Sequence, residues 1–165
     1  MSEGFVFRRP RRGYEVGRLT RAGFEDRVLV LAMVTGELAA RAALAVEPEQ
    51  LVGLDDLQAE LTSADGRGDR AEAEAINHRL HSMINQISGS AELAWTAERL
   101  ARFMPRYGDG GPADRPHTCT YEHGSVIAAL KDHDAERART AMRTHLIEAG
   151  VLLGDELAHS GVWGS

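Results

Sequence analysis

Three of the seven histidines in this sequence stand where their imidazoles could share one ion. His81 lies in a stretch whose apolar residues Ala73, Ile76, Leu80, Ile84 and Ile87 recur at helical spacing, and Asn77 precedes it by four residues. Residues four apart stack on one helix face, so Asn77 and His81 flank that apolar stripe together. His123 stacks with Ile127 and Leu130 in a later helical stretch. His145 shares a face with Ala138, Ala141, Met142, Ala149 and Leu152. All three histidines are therefore expected to point inward. His78 falls on a polar face with Ser82 and Asn85, and His117, His133 and His159 lie near loops or ends.

Two of the three also share a height. If the last two helices turn near residue 133, His123 and His145 lie about 15 and 18 Å from that turn at about 1.5 Å per residue. Imidazole suits zinc and other late first-row divalent ions, and three histidines leave coordination positions for water or a ligand. A lone inward histidine is more often a hydrogen-bonded core residue, and spacing by itself leaves both readings open.

The elements that must position these groups read as helices. Alanine is abundant and aromatics make up only 5% of the 165 residues, which favours helix over sheet. The spacing predicts helices over about 24–46, 48–63, 70–87, 91–104, 118–131 and 135–158. Pro48 suits a first helical turn, Asp69, Ser90 and Asp134 suit N-caps, and Pro105 is expected to stop the fourth helix. Residues 64–68 and 108–117 read as loops. The predicted fold is all-α, an antiparallel bundle of about six helices preceded by a short β-hairpin.

The hairpin is expected from two short β-prone runs, Phe5-Val6-Phe7 and Tyr14-Glu15-Val16, around a tip carrying Pro10, Arg11, Arg12 and Gly13. Two strands alone are not stable, so the hairpin either packs on the body or belongs to something larger. Six arginines and two glutamates give residues 1–21 a net charge of +4; the whole chain carries −6, so the other 144 residues carry −10. A basic segment thus precedes an acidic body, and an average over the chain hides it.

Composition excludes several classes. With 43% hydrophobic and 27% charged residues the chain can close a core, which rules out wholesale disorder. A single cysteine excludes an internal disulfide and a cysteine-cluster metal site. No apolar run approaches the roughly 18–20 residues of a membrane span, and residues 1–13 lack the apolar stretch of a signal peptide. The expectation is a cytoplasmic protein. Cys119 is given no role.

These residues resemble a known arrangement. The body is similar to the effector-binding FCD domain of the FadR-like branch of GntR transcriptional regulators. The resemblance is carried by Gly36-Glu37-Leu38-Ala39-Ala40-Arg41-Ala42-Ala43, by Asn77-His78-Arg79-Leu80-His81, by the turn Ser88-Gly89-Ser90-Ala91-Glu92-Leu93, and by Glu122-His123 and His145-Leu146. It implies a homodimer with a divalent metal, zinc or else nickel or another first-row ion, held by Asn77, His81, His123 and His145. The metal in turn helps to hold a small carboxylate effector. Asn77 replaces the more usual aspartate, and its amide gives less charge compensation. The helix-one neighbourhood Val30–Thr35 lacks the cation that often pairs with the effector, leaving Arg79, Arg99 and Arg102 as the candidate effector-binding cations.

Residues 1–21 resemble the wing of a winged helix-turn-helix, and 22–165 the effector domain. Arg9, Arg11 and Arg12 would meet DNA phosphates, with Gly13 allowing close approach. Base readout in such proteins comes from a recognition helix ahead of the wing, so the expectation is a regulator truncated at its N-terminus that binds DNA only if that helix-turn-helix is present. Two other functions compete. One is a stand-alone sensor or interaction module that pairs with full-length relatives. The other is a histidine–metal hydrolase, for which Glu122 is the nearest candidate base.

Overall fold

The computed structural model describes residues 6–9, 13–16, 20–102, 104 and 119–163 of the 165. Two strands, β1 (Val6–Arg9) and β2 (Gly13–Val16), pair antiparallel, with Val6 opposite Val16 and Arg9 opposite Gly13. Among the described residues no helix touches this hairpin.

Six helices follow: α1 (Arg21–Ala45), α2 (Pro48–Gly66), α3 (Arg70–Ile87), α4 (Ala91–Ala101), α5 (Cys119–Lys131) and α6 (Ala135–His159). The chain is all-α in its body, an antiparallel bundle. The long helices α1 and α6 form its most extensive pair, α2 packs on α3 and α5, and α5 packs on α6.

Local chemistry sets most of these limits. The Thr20 hydroxyl accepts from the Gly23 N–H at 3.1 Å and starts α1 three residues earlier than expected. Glu47 and Gln50 form a reciprocal capping box at the start of α2, with Pro48 in its first turn. Asp69 caps α3 and Asp134 caps α6, each carboxylate accepting a backbone N–H three residues on. Ser90 stands at the α4 N-cap without a side-chain cap bond. Helix α4 ends at Ala101, and Pro105, Arg11, Arg12 and the 108–117 loop lie outside the described residues.

One predicted loop is helix. Residues 64–66 continue α2 because Ala64 is fully buried in the core, and the helix ends where Gly68 adopts φ +72°. Asp69 N–H then bonds back to the Ala64 carbonyl at 3.0 Å.

The main core joins α1, α2, α3, α5 and α6 through Ala39, Leu54, Leu61, Leu80, Ile84, Val126, Leu130 and Met142. A second cluster seats Phe24, Val28 and Leu153 at the far end of the α1–α6 pair, with Trp163 against Phe24. A third joins Leu31 and Leu38 of α1 to Ala97 of α4.

Helix α1 is not buried all round. Leu29, Val30, Met33 and Leu44 are 46–71% exposed. By length and composition it could cross a membrane, contrary to the expectation that no stretch could, but 56% of its most apolar window is buried within the bundle. Its packing is that of a core helix.

Candidate metal centre

Helices α3, α5 and α6 bring the three histidines together. His81 Nε2 lies 3.2 Å from His123 Nε2 and 3.3 Å from His145 Nε2. The rings of His123 and His145 are 4.4 Å apart between centroids. Two nitrogens each about 2.05 Å from a tetrahedral zinc ion lie about 3.3 Å apart, so the spacing is that of a ligand set.

Each ring is placed by packing. His123 follows the α5 face of Val126, Ile127 and Leu130, all core residues, and is itself fully buried. His145 is 2% exposed, one turn after Met142 on α6. The expected face of α6 needs one correction: Leu152 is 36% exposed, and Leu153 is buried in its stead. In its second half α6 turns its contact surface toward α1, where Gly150 and Gly154 meet Val28 and Phe24, so the buried face rotates off the earlier stripe.

Burial controls the protonation of all three. Loss of hydration holds His123 far below the usual imidazole range and His145 at about 4. Burial, then the nearby His145 and His78 rings, pushes His81 down to about 3. Neutral imidazoles at neutral pH are the form that binds a metal.

One further candidate donor, Asn77 Oδ1, is buried and has no hydrogen-bond partner among the described residues, and the same holds for Nδ1 of His123 and of His145, the ring nitrogens outside the Nε2 contacts. A buried polar atom without a partner costs about 1–3 kcal/mol, which a purely structural cluster has no reason to bear. Asn77 sits one turn before His81 on α3, with its oxygen buried. The three histidines therefore suit a divalent metal in donor type, spacing and protonation, and Asn77 adds a buried amide oxygen one turn before His81.

The other predicted residues stand elsewhere. Arg79 is exposed and pairs with Glu60 of α2 at 3.2 Å. Arg99 lies over the Trp95 ring at 5.3 Å, and Arg102 is exposed at the end of α4. Arg9 ends β1 and Gly13 opens β2 with φ +81°.

Asn85 was the residue the spacing misassigned. It was expected on a solvated face with His78 and Ser82, yet it is 7% exposed with its Oδ1 buried and unpartnered. The signal was present as a ladder on α3, Asn77, His81 and Asn85, each one turn from the next.

Comparison with known proteins now decides the family. The family model described as the FCD domain matches residues 28–148, which hold every donor above. The chain belongs to the FCD domain family. As an FCD-containing protein it falls within the GntR family of regulators, and the body is their effector-binding domain. The fold of this FCD domain is similar to a solved structure of E. coli McbR/YncC, with a TM-score of 0.77 over 93% of this chain and 74% of that one at 17% identity. No curated protein matches the sequence.

Proposed function

We propose that this FCD domain senses a small organic acid through a divalent metal held by Asn77, His81, His123 and His145, with zinc as the first candidate and nickel as the second. The convergence of three neutral imidazole nitrogens at ligand spacing carries the proposal. The bound metal supplies a Lewis-acidic position for a carboxylate oxygen. Around it, His81, His123 and His145 fix the ion between three helices, so occupancy couples the packing of α3, α5 and α6. Arg79, Arg99 and Arg102 are the cations to be tested for a part in effector binding.

In a longer regulator that packing would bias the DNA-binding arms. Residues 1–21 would be the wing, with Arg9, Arg11 and Arg12 on phosphate and Gly13 at close approach, and 22–165 the effector domain. DNA binding requires the helix-turn-helix ahead of the wing, and the setting is cytoplasmic. A homodimer is supported by an apolar groove of about 200 Å³ between α1 and α6, lined in part by Val28, Leu29, Ile147 and Val151. Leu29 and Val151 are half exposed there. A stand-alone module that pairs with full-length relatives would use the same face.

A hydrolase is the weaker reading. Two of the histidines that would hold its metal, His123 and His145, are buried away from solvent, and the side chain of its candidate base Glu122 lies outside the described ones. Isothermal titration of metal-loaded and chelator-stripped protein with small carboxylates tests the sensing proposal. Binding that requires the metal supports it, and equal binding to both forms refutes it. Metal-dependent turnover of esters or amides would favour the enzyme.

A further inference from the structure

The residues after α6 turn back onto the start of α1. Helix α6 ends in a Schellman motif. The Gly161 N–H donates to the Ala158 carbonyl at 3.2 Å, and the Val162 N–H donates to the Leu157 carbonyl at 3.1 Å. Gly161 supplies the left-handed φ of +75° that this reversal needs. The reversal sets Trp163 beside α6 itself, where its Nε1–H donates to the Gly154 carbonyl at 3.0 Å. The indole also meets the Phe24 ring, with centroids 5.5 Å apart and planes tilted by 49°.

Gly154 is the common seat. A Cβ there would lie 3.3 Å from Phe24 Cε1, so the missing side chain makes room for that ring. Its carbonyl takes the indole N–H. Phe24 is 1% exposed although it lies in the first turn of α1, and Trp163 is part of what covers it. The other tie at this point, Arg21 with Asp155 at 3.3 Å, is half exposed and contributes little. The cluster of Phe24, Val28, Met104, Leu153, Leu157 and Trp163 shares no residue with the main core. A satellite of this kind can open while the core stays closed.

Helix α1 begins at Arg21, soon after β2 ends at Val16, so its first turn is the point from which the hairpin is carried. We propose that Trp163 is a latch. Closed on Phe24 and Gly154, it fixes the first turn of α1 against the end of α6. Open, it frees that turn, and with it the base of the hairpin, without unfolding the bundle. The turn after α6 thereby sets how firmly the N-terminal segment is held. The latch stands on this packing and does not need the metal.

Hydrogen exchange of the full chain, read by mass spectrometry, tests it. Trp163→Ala is expected to speed exchange of the amides of residues 24–28 about tenfold, and of residues 80–87 and 126–130 less than about twofold. Trp163→Phe keeps a ring and loses the N–H, so about threefold is expected over 24–28. Should Trp163→Ala fail to fold, Trp163→Phe carries the test. Faster exchange throughout the bundle would make Trp163 an ordinary stability contact and overturn the latch. Unchanged exchange over 24–28 overturns it as well.

A second measurement reads the closed state directly. Trp95→Phe leaves Trp163 as the only tryptophan. Acrylamide should quench its fluorescence at least about threefold less in the native chain than in urea. Equal quenching in the two would mean that the indole is not seated in solution, and the latch is overturned.

Discussion

His145 Nε2 stands 3.3 Å from His81 Nε2, although 64 residues separate them in sequence. The contact is set by the register of α6 against α3, and a slip of one helical turn would move either ring by about 5.4 Å. The tight α5–α6 connection holds that register, since it places His123 and His145 at one level. The geometry of this centre thus depends on how the turn at residue 133 is locked.

That lock is testable. His133 has φ +51° and its Nδ1–H donates to the Ala43 carbonyl at 2.9 Å, tying the turn to the last carbonyls of α1. His133→Ala loses the bond and keeps the left-handed strain, so it should cost about 1 kcal/mol. His133→Gly loses the bond but relieves a strain of about 1 kcal/mol, so it should be nearly neutral. Urea denaturation of the two variants checks the order.

The pair α1–α6 predicts contrasting glycine substitutions. A Cβ on Gly150 would lie 2.5 Å from Val28 Cγ1, so Gly150→Ala should destabilise by about 1–3 kcal/mol through overpacking. Among the described residues a Cβ on Gly124 meets nothing within 4 Å, so Gly124→Ala should stabilise α5 by up to about 1 kcal/mol. Thermal melts of both read the difference in sign.

Acid should unfold the metal-free protein early. The three histidines are depressed in the folded state, so the unfolded chain binds protons that the native one refuses. Their contribution to stability is complete above about pH 6.5 and is lost as the pH falls toward about 4 and then about 3. His145→Gln should flatten the stability profile between these limits. An unchanged profile would mean that the imidazoles are not buried neutral.

The apolar groove predicts an assembly. Val151→Glu, at a position 56% exposed in the single chain, should leave the helical content intact and convert a dimer to a monomer in light scattering. Dimers that persist in the variant would place the interface elsewhere.

Much of this was legible in the residues, for identifiable reasons. Asp69 and Asp134 each precede a periodic apolar stripe, so their helices begin where the carboxylates dictate. His81, His123 and His145 were readable because each lies beside a stripe that had to face the core. The misreadings share a different cause. Gly66 and Gly68 suggested a loop, but burial of Ala64 carried α2 further. Leu152 and Asn85 were assigned by extending one helix face too far, whereas a helix packed on two partners in succession rotates its buried side. The exposed face of α1 was hidden because apolar residues in a sequence do not say which of them lie outward.

Metal content tests the central claim most directly. Protein purified without chelator, or stripped and dialysed against zinc or nickel, should hold about one ion per chain by mass spectrometry of the elements. Saturation to about 100 Kd should add about 2.7 kcal/mol of stability. His81→Ala, His123→Ala and His145→Ala should each lose the ion and the added stability. A wild-type chain that takes up no ion and melts identically with and without metal would contradict the account.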